Sequence, residues 1–413
     1  MLVVDDSAVI RTLLKRSLAK DPRIEIVGEA YDGQGAIEQN RLLKPDVITM
    51  DIYMPVMDGI EATKRIMQEQ PAAIMIFSTE DSARMGYAAL EAGAVDMLKK
   101  PDLTHFSPDF YRSFIERIVA VTERGRKSPV FAKRTGGSSP FARPAAGSAI
   151  ARRESPASPV SAGGASHAGT ASKTSTTVQS GTAARTSVSS ATTSGAGTAA
   201  ATSAATGFHS YTPFVTPAAA GSKDLLVIGA ATGGPVAVQN VLAKIGRDFP
   251  YPILITQHID SAFDKHYASW LADTTGMNVT LAQNNGVVVP GTVYIAPANY
   301  HLVVSGRTAG GYVTGLVDEP PVNYLRPAVD YLFKSAAKVA GSRCIAVLLT
   351  GMGRDGANGC VDIYKSGGYT IAEAEETCVV FGMPRAAIDL GAASSVLPVY
   401  EIAPYVRRMA GLN

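Results

Sequence analysis

Two sets of polar residues stand where apolar strands end, and each suits a definite chemistry. The first is acidic. Asp5 and Asp6 close Leu2–Val4, Asp51 closes Val47–Met50, Ser78 closes 74–77, and Lys100-Pro101 closes 95–98. Carboxylates crowded together repel one another unless a hard cation lies among them, and Mg²⁺ with oxygen ligands suits such a set. A lysine and a hydroxyl nearby would bind the oxygens of a phosphoryl group placed on Asp51. A strand-end turn is explanation enough for one aspartate, but not for five converging positions.

The second set is a nucleophile site without its nucleophile. Gly229-Ala230-Ala231-Thr232-Gly233-Gly234 follows an apolar strand and opens an apolar helix from Pro235. Strand, glycine-rich turn and helix together expose a nucleophile above a parallel sheet, beside free backbone N–H donors. Ala231 has no oxygen with which to attack. His258 ends Ile253–Gln257, and Asp355 lies in the turn 350–356. A histidine suits proton transfer near neutral pH, and a carboxylate on its other ring nitrogen fixes the tautomer. Glycines at 233–234 and 351–353 expose N–H groups suited to an oxyanion. Thr232 stands one residue round the turn, and its β-branched side chain has little χ1 freedom to swing inward. A water activated by His258 would give only a feeble rate. The same glycines suit a dinucleotide, but Gln257-His258 stands where the acidic ribose ligand belongs.

The elements that must position these residues alternate. In 1–125, strands at Leu2–Val4, 25–28, Val47–Met50, 74–77 and 95–98 interleave with helices at 7–19, 33–43, 58–69, 82–92 and 108–123. Five βα units in a row predict a doubly wound parallel sheet. From 126 to 222 the chain is Ala, Ser, Thr, Gly and Pro with almost no large apolar side chain, the composition of a disordered linker. From 223 to 413 the alternation resumes, with strands near 225–229, 253–257, 292–295, 345–350 and 369–371. The chain opens directly on a strand, which reads as a start clipped by a few residues.

The first half resembles the flavodoxin-like receiver domain of two-component response regulators. The resemblance rests on Val3-Val4-Asp5-Asp6-Ser7, Met50-Asp51-Ile52-Tyr53-Met54-Pro55-Val56-Met57-Asp58-Gly59 and Lys100-Pro101. It implies that Asp51 accepts the phosphoryl group from a sensor histidine kinase. Asp5, Asp6, Asp51 and the Tyr53 carbonyl would hold Mg²⁺, and Ser78 and Lys100 would act as switch residues. The second half resembles the doubly wound catalytic domain of the chemotaxis protein-glutamate methylesterases, the CheB family. Here the carrying motifs are 228–235, Thr256-Gln257-His258, Val293-Tyr294-Ile295-Ala296-Pro297, 350–356 and Val380-Phe381-Gly382-Met383-Pro384-Arg385. In that family the receiver masks a serine hydrolase, and phosphorylation relieves the masking. The hydrolase demethylates, and can deamidate, side chains of methyl-accepting chemoreceptors, with no cofactor in its own domain. His258 and Asp355 match its base and orienting acid, and the Met352 N–H matches an oxyanion donor. Two departures stand out: Ala231 replaces the serine, and Ile259-Asp260-Ser261-Ala262 replaces a Pro-rich loop.

Composition narrows the rest. Of 413 residues, 46% are hydrophobic and 18% charged, with a net charge of +2, which points away from nucleic-acid and membrane-surface binding. No apolar run approaches the roughly 18–20 residues of a spanning helix. Cys344, Cys360 and Cys378 lack metal spacing and read as reduced core thiols in a cytoplasmic protein. His209, His266 and His301 read as surface or helix histidines, and Tyr267 and Trp270 as packing residues. Two readings of function stay open. One is a phosphorylation-regulated methylesterase impaired at its nucleophile, and the other a catalytically inactive regulator that binds receptor or kinase partners.

Overall fold

The computed structural model describes residues 1–79, 83–100, 108–125 and 223–412. The linker expected at 126–222, together with Pro101 and His209, lies outside the described residues.

The first sheet contains β1 (Leu2–Val4), β2 (Gly28–Ala30), β3 (Val47–Met50), β4 (Ala73–Ser78) and β5 (Asp96–Lys99). Their order is β2-β1-β3-β4-β5, and every pairing is parallel. β1, β3 and β4 are buried at every residue, as central parallel strands covered on both faces must be. Between the strands run α1 (Ala8–Leu18), α2 (Gly33–Leu43), α3 (Gly59–Glu69) and α4 (Ala83–Glu91), and α5 (Pro108–Gly125) follows the last. Ser7, Asp32 and Asp58 cap the first three helices by accepting backbone N–H bonds, which starts each helix just past a strand end. β2 lies later than the 25–28 expected for it. Its partner β1 begins at Leu2, which pairs with Gly28, and before Gly28 the contact is with Met1, whose carbonyl accepts from Val27 N at 2.9 Å and whose terminal ammonium donates to Glu25 O at 2.7 Å.

The second domain begins with β6 (Leu225–Ala230), α6 (Gly234–Ile245), β7 (Ile253–Gln257) and α7 (Asp264–Thr275). β8 (Asn278–Leu281) and β9 (Thr292–Ile295) follow, and then an antiparallel hairpin of β10 (His301–Thr308) and β11 (Gly311–Val317). The chain continues through α8 (Val329–Val339), β12 (Cys344–Leu348), α9 (Ala357–Lys365), β13 (Tyr369–Glu373), α10 (Met383–Asp389), β14 (Ser395–Leu397) and α11 (Val399–Met409). Seven strands form one parallel sheet in the order β14-β13-β12-β6-β7-β9-β8. β6 pairs with β12 on one side and β7 on the other, so the strand order reverses there. Loops leaving β6, β7 and β12 therefore meet at the topological switch point, where open α/β sheets bind ligands.

Both α/β domains fall within one compact unit and touch through α4 and α7. Tyr87 stacks on Tyr267 at 5.8 Å and on Trp270 at 5.2 Å, and its hydroxyl donates to the Phe263 carbonyl at 3.1 Å. Tyr267 and Trp270 are thus packing residues, and what they pack against is the other domain. All three cysteines are buried, and none forms a disulfide among the described residues. Burial pushes the Cys344 thiol up to about 12, the range of an inert core cysteine.

Candidate functional site

At the C-terminal edge of the first sheet, Asp5, Asp6 and Asp51 converge. One carboxylate oxygen from each lies within 4.8 Å of the other two. Asp5 and Asp51 are buried and Asp6 is exposed. The Lys100 ammonium sits 2.8 Å from Asp5 Oδ2 and 2.8 Å from Asp51 Oδ2. Burial pushes both buried carboxyls above the ordinary carboxylate range, and their bonds to Lys100 offset only part of that. Three carboxylates against one ammonium leave an excess of negative charge on a hard, all-oxygen donor set, and such a set fits Mg²⁺. The Asp51 N–H donates to Val4 O, and the Ile52 N–H donates to Asp51 Oδ1 at 2.8 Å. Tyr53 stands two residues on with its ring exposed, and Ser78 is buried at the end of β4. Gly59 opens α3 against the Asp51 carbonyl, where a Cβ would collide with that oxygen.

At the switch point of the second sheet, Ala231 directly follows β6 and is 5% exposed. Its N–H donates to Thr350 O at 3.0 Å, and its carbonyl accepts from Gly234 N at 2.7 Å and Gln257 Nε2 at 2.9 Å. His258 is held alongside, its N–H donating to Ala230 O at 3.0 Å. His258 Nε2 meets Asp355 Oδ2 at 2.7 Å, and both side chains are about 95% covered, with exposures of 4% and 5%. That bond leaves Nδ1 as the ring nitrogen able to serve a nucleophile.

Asp355 is fixed from a second direction. Val329 N donates to its Oδ2 at 2.6 Å and Asp330 N to its Oδ1 at 3.0 Å, which places the carboxylate on the N-terminus of α8. The helix dipole and these two donors favour the charged form. Burial alone would raise the carboxyl, but the His258 bond and the two N–H bonds outweigh it and hold Asp355 below its ordinary value.

The turn after β12 completes the crevice. Gly351 lies so close to Ala231 that a Cβ on it would come within 2.7 Å of the Ala231 methyl carbon. Among the described residues, none accepts the Met352 N–H. Thr350 ties three segments together: its hydroxyl donates to Thr232 O at 2.9 Å and accepts from Val380 N at 2.9 Å, while its N–H donates to Glu373 Oε2 at 2.8 Å. Thr232 is 3% exposed.

Sequence reasoning missed two residues here. Glu373 is fully buried and anchors the 350–356 turn. Its signal was an acid closing a buried strand, as Asp51 does. His301 is fully buried rather than at the surface. Its ring stacks on Tyr331 at 3.9 Å, and its Nδ1 accepts from Ala328 N at 3.1 Å, just before α8. Burial lowers its pKa, and it serves the loop that delivers the Asp355 donors. His266 is exposed on α7, as expected.

A phosphoacceptor-type pocket joined to a nucleophile-type crevice is the build of a response regulator with a hydrolase-type output domain. Residues 1–106 match the response regulator receiver domain, and residues 226–406 match the CheB methylesterase domain. A protein-glutamate methylesterase/protein-glutamine glutaminase of Carboxydothermus hydrogenoformans is 36% identical over 98% of this chain and 96% of its own length. A second, from Hydrogenovibrio crunogenus, is 36% identical over 97% of this chain and 96% of its own. The solved Thermotoga maritima CheB methylesterase catalytic domain is 40% identical and covers 46% of this chain and 99% of its own, with a TM-score of 0.44. The chain belongs to the CheB methylesterase family, chemotaxis response regulators that join a receiver to a methylesterase domain.

Proposed function

We propose that this chain is a phosphorylation-controlled regulator whose second domain holds glutamyl methyl ester and glutamine side chains of methyl-accepting chemoreceptors without covalent turnover. Asp51 receives the phosphoryl group from a sensor histidine kinase. Asp5, Asp6, Asp51 and the Tyr53 carbonyl would hold Mg²⁺, which supplies charge neutralisation for phosphoryl oxygens, while Lys100 and Ser78 take up the oxygens on the other side. In the second crevice His258 is the base, Asp355 orients it, and the Met352 N–H is the oxyanion donor. The observation that carries the reading is the intact 2.7 Å His258–Asp355 pair beside an alanine packed against Gly351. A nucleophile position filled by a methyl group leaves recognition and polarisation in place and removes bond formation. Buried cysteines without a disulfide among the described residues fit a reducing, cytoplasmic setting. Among the described residues no helix is long and apolar enough to cross a membrane.

Calorimetry with a methylated receptor peptide, with and without a small phosphodonor and Mg²⁺, tests this directly. Binding that strengthens on phosphorylation, with no methanol released, is the expected result. Methanol release at rates typical of a serine hydrolase would overturn it, and so would failure to bind in either state.

A further inference from the structure

Asp355 is one of two side chains that hold the start of α8, and the other is His301. A helix leaves its first N–H groups without intrahelical acceptors. α8 has no local remedy. Its N-cap is Ala328, which has no side-chain oxygen to offer, and the Asp330 carboxylate in the first turn is spent on Gly359 N at 2.8 Å, in α9. Remote side chains do the capping instead. Asp355, from the turn after β12, takes Val329 N and Asp330 N. His301, the first residue of β10, takes Ala328 N on its Nδ1 at 3.1 Å.

The same ring has a second grip. A carbonyl can only accept, so the 3.3 Å contact between His301 Nε2 and Pro320 O is donated by the ring. Together the two partners require the neutral tautomer protonated on Nε2. Pro320 and Ala328 stand near the two ends of the loop between β11 and α8. Within that loop Arg326 donates to Asp318 Oδ1 at 2.7 Å and to Glu319 O at 3.2 Å, and Val322 and Leu325 exchange backbone bonds. His301, fully buried and stacked on Tyr331, thus fastens the loop and the first turn of α8 to the hairpin.

We infer that His301 is a positioning residue for the His258–Asp355 pair. It sets where α8 begins, and with that the two N–H bonds that orient Asp355 on His258. Only the neutral ring can do this. A proton on Nδ1 would set one donor against another at Ala328 N, and would put positive charge at a helix N-terminus, where the dipole disfavours it. Burial lowers the pKa of the ring, against the raising pull of the Pro320 carbonyl; Arg326 lowers it further, and Asp355 and Glu319 oppose. Tyr331 stacks on the ring. The pair therefore loosens as pH falls through the His301 titration. What the pair is used for rests on the function proposed above, but its positioning does not.

The test uses the full chain and follows two signals: the His258 Nε2 proton by NMR, and the Val329 and Asp330 amides by hydrogen exchange. His301→Phe keeps an aromatic ring for Tyr331 and loses both polar bonds, whereas His301→Asn restores an acceptor for Ala328 N. A hydrogen bond to a charged group corresponds to roughly a tenfold or greater change in an opening equilibrium. Both amides should therefore exchange about tenfold faster in His301→Phe, and the His258 proton should be lost to water. In His301→Asn both signals should return. The unaltered chain should lose the same protection as His301 takes up its proton, and His301→Asn should keep it over that pH range. Signals unaltered in His301→Phe would overturn the inference, since the ring would then serve packing alone. Failure of His301→Asn to restore them would do so too, as would a loss with pH that persists in that variant. A methylated receptor peptide should bind about tenfold more weakly to His301→Phe than to His301→Asn. Equal binding, with the His258 proton lost only in His301→Phe, would contradict the receptor reading and leave the positioning role standing.

Discussion

The two crevices of this molecule share one plan and differ at its centre. Each lies at the carboxyl edge of a parallel sheet, with polar residues delivered by the loops that leave neighbouring strands. The first crowds three carboxylates against one ammonium, and the proposed phosphoacceptor, Asp51, is among them. The second spreads its parts over β6, β7, β12 and the N-terminus of α8, and its reactive position holds a methyl group. In the first, positioning and chemistry reside in the same carboxylates. In the second they are separate, since Glu373, Thr350 and His301 hold the loops while a single side chain would do the bond-making. Loss of that one atom leaves the scaffold intact.

That contrast can be broken at several points. The largest effect belongs to the first crevice. Asp51→Asn should abolish labelling by a small phosphodonor in Mg²⁺, since of the two carboxylates that meet Lys100 only Asp51 also accepts the Ile52 N–H; retained labelling would move the acceptor elsewhere. Next comes Asp355→Ala, which leaves His258 and the Val329 and Asp330 N–H groups without their partner. Removing one member of a buried charged network costs about 3–5 kcal/mol, so chemical denaturation of the second domain should shift by that order.

Acid should act on the two crevices with opposite sign. Asp5 and Asp51, held above the carboxylate range by burial, take up protons at higher pH in the folded state than in the unfolded one. Metal-free receiver should therefore gain stability as pH falls through that raised range. Asp355 lies below its ordinary value. Its contribution is complete above the unfolded value of about 3.9 and is lost as pH falls through the lower folded one. Carboxyl chemical shifts followed against pH would show both, and parallel titrations would refute the contrast. The smallest effect is at the domain contact, where Tyr87→Phe removes one hydrogen bond to the Phe263 carbonyl and should cost about 1 kcal/mol in thermal unfolding.

Much of the first crevice was legible because its residues fall one after another at strand ends, so five strand-end positions carry it. The second was legible only in its parts. Ala231, His258 and Asp355 were readable from glycine turns and strand ends, but the donors to Asp355 come from the first residues of α8, which carry no local signal. β8, β10, β11 and β14 went unread. Both β8 and β14 are short and only partly buried, so their apolar pattern is faint. The hairpin stands apart from the main sheet, with Thr308 and Gly311 at its turn and a bulge between Val304 and Gly306 that breaks the alternation a strand would show. The Tyr87–Phe263 bond joins two domains that are remote in the chain, and no spacing rule could have paired them.

Ester hydrolysis by Ala231→Ser measures most directly whether the second crevice is complete but for one oxygen. With the serine in place, its proton would pass to His258 as Oγ bonds to the ester carbon and methanol leaves. Removing one triad member costs several orders of magnitude, so methanol release from a methylated receptor peptide should rise by roughly 10³-fold or more over the unaltered chain, and the gain should vanish when His258→Ala is added. No gain from the serine, or a gain indifferent to His258, would contradict it.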